Sequence, residues 1–257
     1  MSHILTPEFL AQPFPALSRE LVEAAPGEFL IDEIHPGAPL VISFAFVDWA
    51  GNPGFYGWGR TRKLADISGQ PINRILLRDR RSQWYQQGVA GLGDNVDETI
   101  RSLQVLIDLI RPSRITTLGE SMGAYGAIHY GVMLGAARIA AFGPLSHLQV
   151  DEALLYNDRR WLPVMQALAA NPPEGMCDDL AGLLRERHYR GELHLGFGTD
   201  AGGANAEAVC LDAVHALRLA AHPSVQLHPY PQAQHTVTLY LKENRLLDGF
   251  LECALLG

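Results

Sequence analysis

The sequence predicts an α/β fold, with a mostly parallel central sheet and helices on both of its faces. Short, continuously apolar segments alternate with segments of helical periodicity, which is typical of a parallel sheet that is covered on both sides. The chain has 257 residues, of which 47% are hydrophobic, and this is enough to bury one large core. We therefore expect a single domain over residues 1–257.

The elements that precede residue 111 illustrate this alternation. Glu28 to Ile34 and Pro39 to Val47 have the composition of early strands, and Asn73 to Leu77 that of a short third strand. The clearest helix signal covers Asp94 to Ile110, where capping residues and acids lead into apolar residues at helical spacing. That helix is expected to end before Pro112, because proline cannot continue a helix.

Segment 115–127 is the most informative part of the sequence. It begins with the apolar or β-branched residues Ile115 to Leu118, continues as Gly119-Glu120-Ser121-Met122-Gly123, and opens a helical pattern from Met122 to Ala136. This G-x-S-x-G arrangement is typical of a sharp turn from strand to helix that exposes a serine nucleophile, and only very small side chains fit beside it. A serine flanked by glycines in an ordinary loop remains the alternative.

An acid and a histidine follow the serine in the order that such a turn favours. A buried strand is expected at Arg138 to Phe142, and the next apolar strand runs from Leu193 to Asp200, so that Asp200 stands at its end. After the loop Ala201 to Ala204 and a helical pattern, the strand Val225 to Pro231 leads into a loop that contains His235. Ser121, Asp200 and His235 therefore occur in the order serine, acid, histidine.

With these motifs, the chain resembles the α/β-hydrolase superfamily over roughly residues 27 to 257. Many esterases, lipases and thioesterases and some peptidases share that fold. The resemblance implies that Ser121 is the nucleophile after the fifth strand, Asp200 the acid after the seventh and His235 the base after the eighth. Asp151 is an alternative acid, and His228, which sits within a strand, is an alternative histidine.

The resemblance also implies an oxyanion hole built from two backbone N–H groups. Met122 would supply the first, and Phe46 or Val47 the second, from the loop that continues into Gly51-Asn52-Pro53-Gly54. Many members of the superfamily have His-Gly or repeated glycines at this point, whereas this chain has Ala45-Phe46-Val47.

Two regions are candidates for shaping the substrate pocket. Residues 144–191 are longer than a simple crossover and are interpreted as a small helical cap or lid, in which Trp161 is a candidate substrate contact. The loop Arg78 to Asp94 contributes Trp84 and Tyr85. For all three aromatic residues, packing against the body of the protein is the alternative.

Composition excludes several other classes of protein. The net charge of −8 disfavours a nucleic-acid surface, and Arg159-Arg160, preceded by Asp158, is interpreted as a solvated or loop-anchoring pair. The three cysteines form no C-x-x-C pair, so neither a disulfide framework nor a zinc site is indicated. The absence of a secretory pattern and of a long apolar run leads us to expect a soluble, cytoplasmic protein.

One further motif imitates a cofactor site. Residues Gly196 to Ala201 match G-x-G-x-x-A between a strand and a helix, as in dinucleotide-binding loops. Asp200 lies within this motif and would repel a pyrophosphate, so we expect no dinucleotide here. No organic cofactor or metal is implied.

The sequence therefore predicts a serine hydrolase of the carboxylesterase type, class EC 3.1, which cleaves an ester, thioester or related acyl bond of a small-molecule substrate through an acyl-enzyme on Ser121. Two alternatives remain open. One is acyl transfer to an alcohol or sugar on the same triad, and the other is a protein that keeps the fold but only binds a ligand or partner. Oligomeric state is left open.

Overall fold

The structure is a computed structural model that describes residues 5–48, 53–200 and 206–257, the last range with side chains from residue 210 onward. Its centre is a sheet of seven strands in the order β1-β3-β2-β4-β5-β6-β7. The strands are β1 (Phe29–Ile31), β2 (Leu40–Phe44), β3 (Asn73–Leu77), β4 (Ile115–Glu120), β5 (Arg138–Phe142), β6 (Glu192–Gly198) and β7 (Val225–Tyr230). Only β1 runs antiparallel to its neighbour, which confirms the predicted mostly parallel sheet.

The parallel pairing brings the carboxyl ends of the central strands to one edge of the sheet. Phe44 at the end of β2 lies opposite Gly119 of β4, and Gly119 lies opposite Ala141 of β5. Within the described ranges Ser121 follows the fourth strand, Asp200 the sixth and His235 the seventh. Each position is one strand earlier than the eight-stranded count that the resemblance implies.

Helices cover both faces of the sheet. They are α1 (Pro7–Leu10), α2 (Arg19–Ala24), α3 (Trp58–Ser68), α4 (Val96–Ile110), α5 (Met122–Met133), α6 (Val150–Leu155), α7 (Leu162–Ala170), α8 (Leu180–Glu186), α9 (Ala206–Leu219), α10 (Val237–Glu243) and α11 (Leu247–Leu251), with a π-helical turn at Glu252–Leu256. The strongest sequence signal gives α4, whose first turn is capped by the Asn95 side chain, 2.8 Å from the N–H of Glu98.

The core lies on both sides of the sheet. In β2, Ile42 and Phe44 face the larger cluster of buried side chains, which α4, α5 and α9 cover, while Val41 faces a smaller cluster that α3, α10 and α11 cover. Successive residues of a strand point to opposite faces, so a strand covered on both sides must be apolar throughout. This explains why the strands appear in the sequence as continuous apolar runs.

Segment 144–191, which sequence analysis interprets as a cap, contains the three short helices α6, α7 and α8. About half of its large apolar side chains are buried, among them Met165, Leu168 and Leu184, whereas Leu154, Leu155 and Tyr156 are exposed. Helix α8 contacts α5 and α9. Packing on the body thus accounts for much of its apolar pattern. No helix in the described ranges combines the length and the apolar character needed to span a bilayer.

Candidate active site

Ser121 lies between β4 and α5 in a strained backbone conformation, with φ of 55° and ψ of −120°. A β-carbon on Gly119 would lie 2.0 Å from the carbonyl oxygen of Gly123, and one on Gly123 would lie 2.2 Å from that of Phe44. Both separations are far below van der Waals contact, so the turn requires glycine at the two positions where the motif has it. The geometry is that of a nucleophile elbow.

His235 lies in the loop between β7 and α10, and its partner is a carboxylate of α9. His235 Nδ1 is 2.6 Å from Asp212 Oδ2, and the Asp212 side chain is only 1% exposed. Burial opposes the charged form of the imidazole, but the hydrogen bond and the charge of Asp212 outweigh it, so the pKa of His235 is raised. A partly exposed histidine with a buried carboxylate on Nδ1 keeps Nε2 available for proton transfer.

The hydrogen-bonded residues His235 and Asp212 lie beside the turn at Ser121. The N–H of Ser121 donates to the carbonyl oxygen of Phe142 at 2.8 Å. A β-carbon on the next residue, Gly143, would lie 3.4 Å from both His235 Nδ1 and Asp212 Oδ2. The end of β5 therefore contacts both the turn at Ser121 and the two residues His235 and Asp212.

A second link holds the histidine loop against the elbow. Thr238 Oγ1, in the first turn of α10, donates to Glu120 Oε2 at 2.7 Å, and Glu120 directly precedes Ser121. Burial raises the pKa of Glu120, although the hydrogen bonds from Thr238 oppose this shift. The link fastens the helix that follows His235 to the residue before Ser121.

Asp200 stands at the end of β6, where the sequence predicts it. Its backbone N–H donates to the carbonyl oxygen of Ala233 at 3.0 Å, which places it next to the histidine loop. The carboxylate on His235 Nδ1, however, is that of Asp212. The following loop, residues 201–204, lies outside the described residues.

Sequence reasoning missed Asp212 because it searched for an acid at a strand end. One signal was available. Asp212, His215, Ala216 and Leu219 are spaced i, i+3, i+4 and i+7 and form the buried stripe of α9. An ionisable residue on the apolar face of a helix is seldom left without a partner.

The other oxygen of Asp212 is held by a residue of segment 144–191. Arg160 Nη1 is 3.1 Å from Asp212 Oδ1, and its Nε and Nη2 atoms contact both oxygens of Asp158 at 2.9 and 2.7 Å. Burial would raise the pKa of Asp158, but hydrogen bonds from His215 and Arg160 hold the pKa well below its usual range. Arg160 thus joins His235 and Asp212 to segment 144–191, which corresponds to the loop-anchoring alternative of the sequence analysis and not to the solvated one.

The network continues into the interior beyond Asp158. His215 Nε2 is 3.2 Å from Asp158 Oδ2, and His215 Nδ1 is 2.9 Å from Ser146 Oγ. Ser146, His215 and Asp158 are all buried. This second serine, histidine and aspartate set is closed to substrate, and it forms an internal support for Arg160.

The predicted oxyanion hole is described in part. Met122 is the first residue of α5, and N–H groups in the first turn of a helix have no acceptor within the helix. On the other side of the predicted hole, Ala45, which precedes Phe46, is fixed by two hydrogen bonds. Its N–H donates to the Leu77 carbonyl at 2.9 Å, and its own carbonyl accepts from Tyr85 Oη at 2.8 Å. Phe46 is 45% exposed. Residues 49–52 of the loop lie outside the described residues, and the donor role of Phe46 or Val47 stays a prediction.

The aromatic residues proposed for substrate contact lie mostly in the core. Trp84 and Tyr85 are fully buried, as in the packing alternative, and the backbone N–H of Tyr85 donates to Asp79 Oδ2 at 2.9 Å. Trp161 packs edge-on against Trp84, with ring centroids 4.7 Å apart. Burial removes Trp84 and Tyr85 from a substrate-facing surface, and a substrate contact of Trp161 stays a prediction.

The alternative site residues lie elsewhere. His228 stacks on His194, with the ring nitrogens 3.2 Å apart, and Asp151 is exposed in the first turn of α6. In the G-x-G-x-x-A motif, a β-carbon on Gly198 would lie 2.3 Å from the Ala233 carbonyl oxygen. That glycine therefore permits close packing of β6 on the histidine loop, and residue 201 of the motif lies outside the described residues. Across the described ranges, no group of three or more His, Cys, Asp or Glu side chains is arranged to hold a metal ion.

Comparison with known proteins identifies the fold. No protein-family model matches the chain, and no curated protein matches it in sequence. The capsule O-acetyltransferase of Neisseria meningitidis serogroup A matches with a TM-score of 0.56 and 13% identity, over 86% of this chain and 90% of that one. A structure described among carboxylesterases of Nitrososphaera gargenis matches with a TM-score of 0.51 and 14% identity, over 90% of this chain and 97% of that one.

A third solved structure, MGS-MChE2, is described as an α/β hydrolase enzyme from a lagoon-sediment metagenome. It matches with a TM-score of 0.50 and 17% identity, over 88% of this chain and 95% of that one. At such low identities the likeness concerns the fold. Together with the seven-stranded sheet and the strained serine turn, it shows that the chain has the α/β-hydrolase fold.

Proposed function

We propose that the chain is a serine hydrolase that cleaves an ester, thioester or related acyl bond through an acyl-enzyme on Ser121. The observation that carries this proposal is the 2.6 Å hydrogen bond between His235 Nδ1 and Asp212 Oδ2 beside the strained turn of Ser121. A serine hydroxyl is a weak nucleophile until an oriented base removes its proton, and this arrangement supplies both the base and the group that orients it.

Each residue has a defined role in the proposed reaction. His235 Nε2 accepts the proton of Ser121 Oγ as the oxygen attacks the acyl carbon, and the Met122 N–H, with a second N–H from residues 46–47, stabilises the negatively charged carbonyl oxygen. His235 then donates the proton to the leaving group as the bond to the acyl carbon breaks. In the second half of the reaction, His235 takes a proton from a water molecule, which attacks the acyl carbon. The bond to Ser121 Oγ then breaks, the acid is released, and His235 returns the proton to Ser121.

We assign the orienting carboxylate to Asp212 in place of Asp200. Asp212 occupies the only hydrogen-bonding position of Nδ1, and its second oxygen is held by Arg160. Such a carboxylate fixes the imidazole tautomer and stabilises the charged ring that forms during reaction. The order serine, acid, histidine, expected from the sequence, holds with Asp212 as well.

The fold comparison is compatible with two fates of the acyl group. Fold relatives of this chain are described as carboxylesterases and as an O-acetyltransferase. Both reactions share the acyl-enzyme and differ in whether water or another hydroxyl attacks it. We propose water as the acceptor; product that depends on an added alcohol or sugar would instead assign the chain to acyl transfer.

The test is labelling by a fluorophosphonate, which reacts with activated serines. We expect the native chain to be labelled, Ser121→Ala to be unlabelled and His235→Ala to be labelled far more slowly. His228→Ala is the matched histidine control and Ser146→Ala the matched serine control, because Ser146 also contacts a histidine. Both controls should keep the label. A folded native protein that takes no label would contradict the proposal.

A further inference from the structure

A cavity of about 290 Å³ lies beside the candidate active site, between α3, α10 and α11. Leu118, Leu247 and Leu251 line it, and all three are buried in the smaller core cluster. Pockets for small molecules usually measure about 300–1,000 Å³. This cavity therefore suits a small ligand or one arm of a larger one.

The wall of the cavity adjoins the groups of the proposed reaction. Glu120 directly precedes Ser121, Thr236 directly follows His235, and Phe46 belongs to the predicted oxyanion loop; all three line the cavity. Consecutive Cα atoms are about 3.8 Å apart, so the wall begins one residue away from both Ser121 and His235. An acyl chain on Ser121 is thus close enough to extend towards the cavity.

Two basic side chains, Arg60 and Lys242, also line the cavity. Arg60 is half-buried and Lys242 is exposed. Within the described part of the chain, neither side chain forms an ion pair or a hydrogen bond. Their neighbours differ, since Lys63 pairs with Asp248 and Arg62 lies over the Trp58 ring. Two such cations at one cavity are notable in a chain with a net charge of −8.

One acid, Glu120, belongs to the same wall and must be weighed against them. Its carboxylate accepts from Thr238 Oγ1 at 2.7 Å and from the Thr238 N–H at 3.4 Å, and only 7% of the residue is exposed. Its oxygens are therefore engaged by α10. Two cations at the wall outnumber this one engaged acid, and the site is favourable to an anion.

From the apolar lining and these two cations, we propose that the cavity binds the acyl part of an anionic substrate, a short apolar chain that ends in a carboxylate held by Arg60 and Lys242. The substrate class is the half-esters or half-thioesters of short dicarboxylic acids. A guanidinium matches the two oxygens of a carboxylate, and an ammonium adds charge without fixed geometry.

This inference rests on the proposed function, because it places the ester or thioester carbonyl, at the end of the chain opposite the free carboxylate, at Ser121. The bond between that acyl carbon and the leaving oxygen or sulfur breaks, and a bond from Ser121 Oγ to the acyl carbon forms. Water then cleaves the acyl-enzyme. The products are the free dicarboxylate and the alcohol or thiol, and Ser121 regains its proton.

The test compares mono-p-nitrophenyl esters of glutarate and adipate with neutral p-nitrophenyl esters of the same chain length, after subtraction of the uncatalysed rate. We expect kcat/KM to be at least about tenfold higher for the anionic ester of the better-fitting length. Arg60→Gln and Lys242→Gln should each reduce this preference several-fold, because they lower kcat/KM for the anionic ester more than for the neutral ester. Arg62→Gln, on the same helix, is the matched control and should keep the preference.

A binding measurement separates this inference from the proposed reaction. Calorimetric titration of Ser121→Ala with the anionic and the neutral ester reports on the cavity without turnover. Tighter binding of the anionic ester, weakened by Arg60→Gln, supports the inference even if the native chain takes no fluorophosphonate label. Equal affinity for the two esters, or an equal kcat/KM in a chain that does take the label, would overturn it.

Discussion

Arg160 Nη1 lies 3.1 Å from Asp212 Oδ1, so the arginine holds the oxygen of Asp212 that His235 does not use. Asp212 is buried, and a buried carboxylate is tolerated when its charge is paired and its oxygens are hydrogen-bonded. Arg160 in turn is fixed by both oxygens of Asp158. The orientation of the proposed catalytic histidine thus depends on a side chain from segment 144–191.

Replacement of Arg160 by Gln is therefore expected to reduce kcat/KM by about 10- to 100-fold, because a small displacement of Asp212 misdirects His235. Burial lowers the pKa of His235, the hydrogen bond and charge of Asp212 raise it by more, and the charge of Arg160 opposes part of that rise. Loss of that charge should move the acidic limb of the kcat/KM profile to higher pH.

Arg159 offers a matched control, since it is exposed and contacts Asn157. Arg159→Gln should keep the native rate and pH profile. Arg160→Lys, which keeps the charge but loses the bidentate contact, should recover part of the native pH midpoint. Thermal unfolding checks that the Arg160→Gln protein is folded. If that folded protein has native kcat/KM and a native pH profile, the contact only supports the structure.

The native pH profile is itself predictable. His235 acts as a base only when neutral, and its pKa is raised in the folded protein because Asp212 outweighs the effect of burial. The fraction of active enzyme therefore falls as the pH drops through this raised pKa. We expect the acidic limb of kcat/KM to have its midpoint above about 6.5, the ordinary value for histidine. A midpoint below that value, measured with a substrate that does not ionise, would argue against the His235 and Asp212 pair.

The substitution Asp212→Asn should separate the role of Asp212 from that of Asp200. A neutral amide lacks the charge that stabilises a protonated imidazole, and its N–H₂ group would favour the wrong tautomer of His235, so we expect kcat to fall by about 10³- to 10⁴-fold. The acidic limb should also move to lower pH, since the group that raises the His235 pKa is weakened. Asp200→Asn is the comparison. If Asp200→Asn causes the larger loss and Asp212→Asn is nearly native, the acid is Asp200.

Local sequence was sufficient for much of the fold. The strands Asn73–Leu77 and Arg138–Phe142 have the predicted bounds, because a strand buried on both faces needs an unbroken apolar run and leaves that mark in the sequence. The serine turn was equally visible, since its steric demand for Gly119 and Gly123 is met by residues within two positions of Ser121. The strand expected at Pro39 to Val47 is shorter and covers Leu40–Phe44; Ala45 still donates to the carbonyl of Leu77, and residues 46–48 beyond it are not part of a strand.

The candidate site was less predictable because it depends on contacts between distant segments. Asp212 lies within a helix, and only the packing of α9 beside β6 and the histidine loop brings it to His235. Arg160 joins Asp158, two residues away, to Asp212, 52 residues further along the chain. The buried stripe of α9 indicates that Asp212 has a partner, but no local pattern identifies His235 or Arg160 as that partner. An acid at a strand end, such as Asp200, satisfies the same local rule without being the partner of Nδ1.

Substitution of Gly123 by Ala is expected to destabilise the protein more than a typical surface change. The added β-carbon would lie 2.2 Å from the Phe44 carbonyl oxygen and 2.9 Å from that of Ala45, both of which are backbone atoms near the end of β2. Relief of this clash must displace β2 or α5, so we expect a loss of several kcal/mol, at the upper end of single substitutions.

Gly59→Ala is the matched control, because nothing lies within 4 Å of a β-carbon at that exposed position of α3. It should change the free energy of unfolding by less than about 1 kcal/mol. Urea unfolding of the two variants measures both values, and a Gly123→Ala protein as stable as Gly59→Ala would mean that the turn around Ser121 is not packed as closely as described.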